Sequence, residues 1–127
     1  MSDMSTFRVT VEVGNRQGDR FEPIEMLVDT GATYTWLPRS ILRRIGVEPS
    51  EERVFILADG RHAYYGMVQT MIRLEGRVIA SLVVFGDDGT EPLLGAVTLE
   101  EFGLGVDAVN QRLIPTPALL KGVSPKR

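Results

Sequence analysis

From Phe7 to Val13, apolar side chains fall on every second residue, with Arg8, Thr10 and Glu12 between them. That period of two belongs to a strand with one buried face and one wet face. The same grammar continues downstream. Gly14-Asn15-Arg16-Gln17-Gly18-Asp19 is a turn cluster, and a second strand is expected from about Arg20 to Val28. Thr35-Trp36-Leu37 is a short apolar strand. Pro38 opens a short helix, Arg39 to Ile45, which Gly46 stops. Arg39, Arg43 and Arg44 form its solvated face.

Arg53 to Ala58 and His62 to Leu74 are expected to be the arms of a hairpin, with Asp59-Gly60 as a tight polar turn. Glu75-Gly76 turns the chain into a strongly apolar strand, Val78 to Phe85, and Gly86-Asp87-Asp88-Gly89 is a loop. Val97 to Phe102 is a second short helix, closed by Gly103. Val106-Asp107 and Leu113-Ile114 flank a last turn, where Asp107 stabilises the bend. From Pro115 onward the tail carries three prolines and polar ends, and its last residues are expected to be mobile. Many short strands with one or two short helices make the fold class all-β, closed as a barrel.

The 127 residues suit a single domain spanning 1–127, with a core from about 7 to 115 and a tail from 116 to 127. There is no cysteine, which excludes disulfides, thiolate metal sites and Cys nucleophiles. A net charge of −3 gives no basic surface for nucleic acid. No apolar run reaches the length of a membrane span, and Met1 to Thr6 lacks a signal pattern, so a cytoplasmic domain is expected. His62, the single histidine, stands beside a turn and is expected at the surface, with neither a metal site nor a Ser-His-Asp triad around it.

The chemistry concentrates in Leu27-Val28-Asp29-Thr30-Gly31-Ala32-Thr33. The apolar run carries Asp29 to a fixed point at a strand end. Gly31 lets its backbone N–H approach a carboxylate, and the Thr30 hydroxyl can lock the loop by donating and accepting. This stretch resembles the D-[ST]-G-[AS] active-site loop of the aspartic proteases. Further on, Glu91-Pro92-Leu93-Leu94-Gly95-Ala96-Val97-Thr98-Leu99 resembles the apolar-apolar-Gly segment that follows that loop and leads into a short helix. Together they mark a single retropepsin-like domain, similar to the small bacterial predicted aspartyl proteases of that group.

The resemblance implies an acid-protease barrel and an aspartic endopeptidase that needs no cofactor or metal. Asp29, Thr30 and Gly31 would be catalytic. Ala32 would adjoin an extended peptide substrate. The hairpin tip at Ala58, Asp59 and Gly60 falls where retropepsins carry a flap, and Trp36, seven residues beyond Asp29, is either a specificity-pocket wall or a core residue. One of Tyr64 and Tyr65 would face the cleft or pack as an ordinary strand residue. The chain holds one Asp-Thr-Gly, so the second carboxyl must come from a second copy, which implies a homodimer. The pattern departs from the family at two places. Ala96 stands where an Arg often follows the glycine, and Thr33 stands where its acidic partner often lies. Both members of that ion pair are missing together, so no buried charge is stranded, and the Pro-rich tail would replace the usual terminal strands. The alternative reading is a non-catalytic retropepsin-like module that binds peptides or proteins.

Overall fold

Alternation in the first strand does what its period requires. In the computed structural model, which describes residues 6–117, β1 (Arg8–Gly14) buries Val11 and Val13 and exposes Arg8 and Thr10. It pairs antiparallel with β2 (Phe21–Val28), from Arg8 opposite Leu27 to Gly14 opposite Phe21. Asn15 holds the connecting turn, its Oδ1 accepting the N–H groups of Gly18 (2.9 Å) and Asp19 (3.0 Å). β3 (Thr35–Pro38) runs into α1 (Arg39–Arg44), and the Gly46 N–H returns to the Arg43 carbonyl at 2.9 Å. The arginines of α1 are solvent-facing as expected but paired. Arg39 donates to Asp87 (3.0 Å), Arg44 grips Glu22, and Arg43 reaches Glu48 at 3.8 Å.

β4 (Glu51–Ile56) and β5 (His62–Leu74) form the hairpin, and β6 (Arg77–Gly86) returns along the second half of β5, from Met67 opposite Val84 to Leu74 opposite Arg77. The expected two-residue turn at Asp59-Gly60 is a wider loop. β4 ends at Ile56, the Leu57 N–H donates to the Arg61 carbonyl (2.8 Å), and Gly60 closes back on Leu57 (2.8 Å). The tip therefore includes Leu57 and Ala58, which the sequence placed at or near the strand end. A strand the sequence did not reveal, β7 (Leu93–Leu94), lies between β2 and β3. It is parallel to β2 and antiparallel to β3, with Leu93 opposite both Leu27 and Trp36. Two residues cannot display a period, so only their apolar character was visible.

The sheet order is β1-β2-β7-β3-β6-β5-β4, and a further antiparallel pairing of β1 with β5, at Glu12–Arg73 and Val13–Ile72, closes it. The closing contact is short, and β4 remains at an edge of the sheet. The core inside holds Val11, Val13, Met26, Leu37, Val68, Ile72, Val83 and Leu94, all fully or almost fully buried. α2 (Ala96–Glu101) covers one end through Leu99, and the adjoining Phe102 is 1% exposed. β8 (Leu104–Asp107) and β9 (Arg112–Pro115) make a separate hairpin. Asp107 stabilises its turn as expected, with Oδ1 accepting the Asn110 N–H at 3.2 Å. Of the expected tail, all beyond residue 117 lies outside the described residues.

Candidate active site

The crossing of β2, β7 and β3 builds the Asp29 loop. β2 ends at Val28, and the Asp29 N–H donates to the Leu94 carbonyl of β7 at 3.0 Å. The chain must then pass over the end of β7 to reach β3 on its far side. It does so in one tight loop, in which the Ala32 N–H donates to the Asp29 carbonyl (3.1 Å) and the Gly31 N–H donates to Asp29 Oδ1 (2.9 Å). The glycine amide thus holds the carboxylate as the sequence suggested. Asp29 is half-buried, while Thr30 and Gly31 are exposed beside it. The carboxylate therefore belongs to a half-buried residue at the surface, its backbone fastened to β7.

The loop's far half fastens to α2. The Ala96 N–H donates to the Ala32 carbonyl (2.8 Å) and the Val97 N–H to the Thr33 carbonyl (2.9 Å). The first turn of α2 has no side-chain cap and no acidic residue. Two of its first N–H groups are satisfied by the active-site loop itself. These main-chain bonds join the same two segments that the missing Arg–acid pair would have joined at Ala96 and Thr33. Below them lies a feature the sequence reading missed. Thr35 Oγ1 accepts the Gly95 N–H (3.0 Å) and lies 2.6 Å from Thr98 Oγ1, which lies 2.8 Å from Ser81 Oγ. All three hydroxyl residues are buried. The available clue was Thr98 itself, a polar residue between Val97 and Leu99 on a short helix that must bury one face.

Thr30 was expected to lock the loop through its hydroxyl. Within one chain, backbone groups do that work, and the Thr30 side chain makes no hydrogen bond among the described residues. Trp36 lies between the two roles considered for it. It is half-buried on β3 and packs against Phe55 and Tyr65 of the β4–β5 hairpin, with ring centroids 5.3 and 5.0 Å away. Tyr34 joins the cluster through Phe55 (6.3 Å), and its hydroxyl accepts from Arg53 at 3.1 Å. Of the two hairpin tyrosines, Tyr65 packs inward and Tyr64 is 67% exposed.

Ala58, Asp59 and Gly60 are all exposed at the hairpin tip. Asp59 is engaged locally: it accepts the Arg61 N–H (3.0 Å) and pairs with the Arg61 guanidinium (2.6 Å), bonds that hold its carboxyl below the usual range. No hydrogen bond or ring contact joins this tip to Asp29 among the described residues. The hairpin connects to the loop lower down, through Phe55 and Tyr65 to Trp36 and through Arg53 to Tyr34. His62 is exposed, as expected. A cleft of about 250 Å³ beside α1, lined by Arg39, Arg43, Pro49 and Tyr64 among others, contains none of the predicted site residues.

The family model described as "gag-polyprotein putative aspartyl protease" matches residues 18–101. That span contains the Asp29 loop, the hairpin, β7 and all of α2. A search of curated protein sequences finds no match. Among solved structures, the chain is similar to the solution structure of the simian foamy virus (mac) protease, with a TM-score of 0.55 and 17% identity over 76% of this chain and 94% of that one. At that identity the likeness establishes a shared fold, the all-β retropepsin-like barrel. With the family model spanning well over half of the sequence, the chain belongs to the gag-polyprotein aspartyl protease family, a retropepsin-like group.

Proposed function

We propose that the chain is a homodimeric aspartic endopeptidase whose catalytic pair is one Asp29 from each copy. The observation that carries this reading is the Asp29 carboxylate itself. It is gripped by the Gly31 N–H at 2.9 Å, at the exposed end of a loop anchored on β7 and α2. A carboxylate so placed has a fixed position and an open side.

Peptide hydrolysis without a covalent intermediate needs a base for water and an acid for the scissile carbonyl. One carboxyl cannot be both at once. Two close together divide the roles, because like charges at short range cannot both ionise cheaply. The ionised Asp29 takes a proton from water as the water oxygen bonds to the carbonyl carbon. The protonated Asp29 of the second copy gives its proton to the carbonyl oxygen. Collapse of the resulting diol breaks the C–N bond, and a proton passes to the departing nitrogen. The exposed Thr30 hydroxyl is available to bond across the axis between the two loops. Ala32 adjoins the bound peptide, whose extended backbone is held by the cleft and by the Ala58–Gly60 tip. A cytoplasmic location is part of the same proposal.

The test is Asp29→Asn, assayed on a mixed peptide library with sedimentation run in parallel. Hydrolysis should fall by at least about a thousandfold while the variant stays folded. Unchanged turnover would remove Asp29 from the chemistry. A strictly monomeric parent that binds peptides without cutting them would instead make the chain a binding module.

A further inference from the structure

The buried hydroxyls of Thr98 and Ser81 touch no solvent and lie beneath the candidate catalytic loop. We infer that Thr98, seconded by Ser81, is a positioning residue that fixes the Asp29 loop through Thr35 and Gly95. This inference rests on the peptidase reading for its kinetic consequence, though not for its structural one.

Gly95 lies directly under the peptide joining Tyr34 to Thr35, so closely that any Cβ there would collide with the Tyr34 carbonyl. Its N–H donates to Thr35 Oγ1 at 3.0 Å. The residues on either side of Gly95 hold the loop: Leu94 accepts the Asp29 N–H, and Ala96 donates to Ala32. Whatever fixes Gly95 therefore fixes both ends of the catalytic turn. Thr35 cannot do so alone, because its side chain needs a partner that sets its rotamer. Thr98 supplies one at 2.6 Å, from the third residue of the very helix whose first two amides bind the loop. Ser81, at 2.8 Å from Thr98 and on β6, ties the chain of hydroxyls to the strand that pairs with β3 on its other side.

Each hydroxyl carries a single proton, so the three align head to tail and orient one another. In a dry interior such a chain holds its geometry only while complete, since removing one member leaves a neighbour unpaired. The sequence lacks the charged pair that often braces this junction in the family. The hydroxyl chain braces the same junction from underneath, without a buried charge.

The decisive pair of variants is Thr98→Val, which keeps shape and removes the hydroxyl, and Thr98→Ser, which keeps the hydroxyl. In Thr98→Val, kcat should fall by about tenfold or more with KM changed less than about twofold, because misplacing the carboxylate damages the transition state more than peptide binding. Thr98→Ser should restore kcat to within about twofold. Ser81→Ala, which removes only the outermost hydroxyl of the chain and alters no residue of β3 or α2, should show the same pattern more weakly and covers the case in which Thr98→Val does not fold. Backbone amide exchange supplies a reading independent of catalysis. The N–H groups of Asp29, Ala96 and Val97 should exchange about tenfold faster in both hydroxyl-deleted variants, with Val11 and Ile72 unchanged.

Exchange at Asp29, Ala96 and Val97 that stays at the parent rate in both deletions overturns the inference, whatever the activity. So does a Thr98→Ser variant as impaired as Thr98→Val. If the parent shows no Asp29-dependent hydrolysis, the peptidase reading fails, while faster exchange confined to the loop still supports the positioning role.

Discussion

The Asp29 loop and the Ala58–Gly60 tip are both short polar turns at the edge of the barrel, yet they are held in opposite ways. The loop is bonded to β7 and α2, elements that arrive more than sixty residues later in the chain, and it rests on three buried hydroxyls. Among the described residues the tip is bonded only to itself, through Leu57, Asp59, Gly60 and Arg61. Below the tip, its hairpin leans on Trp36 through the rings of Phe55 and Tyr65, and its outer side leaves Val54, Ile56 and Tyr64 in water. A hydrolytic site needs a fixed acid and a roof that admits its substrate. In the proposed peptidase the two turns would divide those needs between them.

The sharpest way to break this contrast is chemical. Asp29→Asn should abolish hydrolysis and leave thermal unfolding nearly unchanged, whereas Asp59→Asn at the tip should cost activity at most severalfold; equal losses would erase the distinction. Two glycines probe it next. Gly95→Ala puts a methyl into the Tyr34 backbone, and a stability loss of about 3 kcal/mol in urea unfolding is expected. Gly60 also has a special backbone, with φ +87°, but nothing lies within 4 Å of where its Cβ would be. Gly60→Ala should therefore cost only about 1 kcal/mol, and similar losses at both sites would mean the loop is less braced than its bonds imply.

Trp36→Ala tests the link between the two regions. Losing a half-buried ring and its contacts should cost roughly 2 kcal/mol and raise KM severalfold, because the hairpin loses its seat. An unchanged KM would separate the hairpin from substrate binding. The smallest effect is electrostatic. Asp88 lies in the loop after β6 and accepts the Ser40 N–H of α1 at 2.9 Å, which holds its carboxyl below the ordinary 3.8. A depressed carboxyl adds stability above its unfolded value and loses that stability as the pH falls through its folded one. The Tm advantage of the parent over Asp88→Asn should thus be present near neutrality and shrink below about pH 4. A gap that widens on acidification would reverse the assignment.

Much of this was legible in the residues. Phe7 to Val13 and His62 to Leu74 show their strands through alternation and length, and Leu27-Val28-Asp29-Thr30-Gly31 shows the site because each residue type has a local chemical task. What stayed hidden depends on distance along the chain. Thr35 and Thr98 look like filler until the fold brings them 2.6 Å apart across 63 positions. Trp36 could not be assigned because its partners, Phe55 and Tyr65, belong to a hairpin whose packing face the sequence does not reveal. The tip was drawn too tight because Asp59-Gly60 satisfies a two-residue turn by itself, while the bond from Leu57 to Arg61 that sets its true width involves residues with no turn signature.

The insertion of β7 between β2 and β3 has a consequence for biosynthesis. Until Leu93 and Leu94 have left the ribosome, β2 and β3 have no shared neighbour, and the segment carrying the acid is an unsupported linker. A nascent chain that ends before β7 would own every residue of the Asp-Thr-Gly signature and lack each bond that ties its loop to β7 and α2, so the proposed activity is expected only after that later segment has been made.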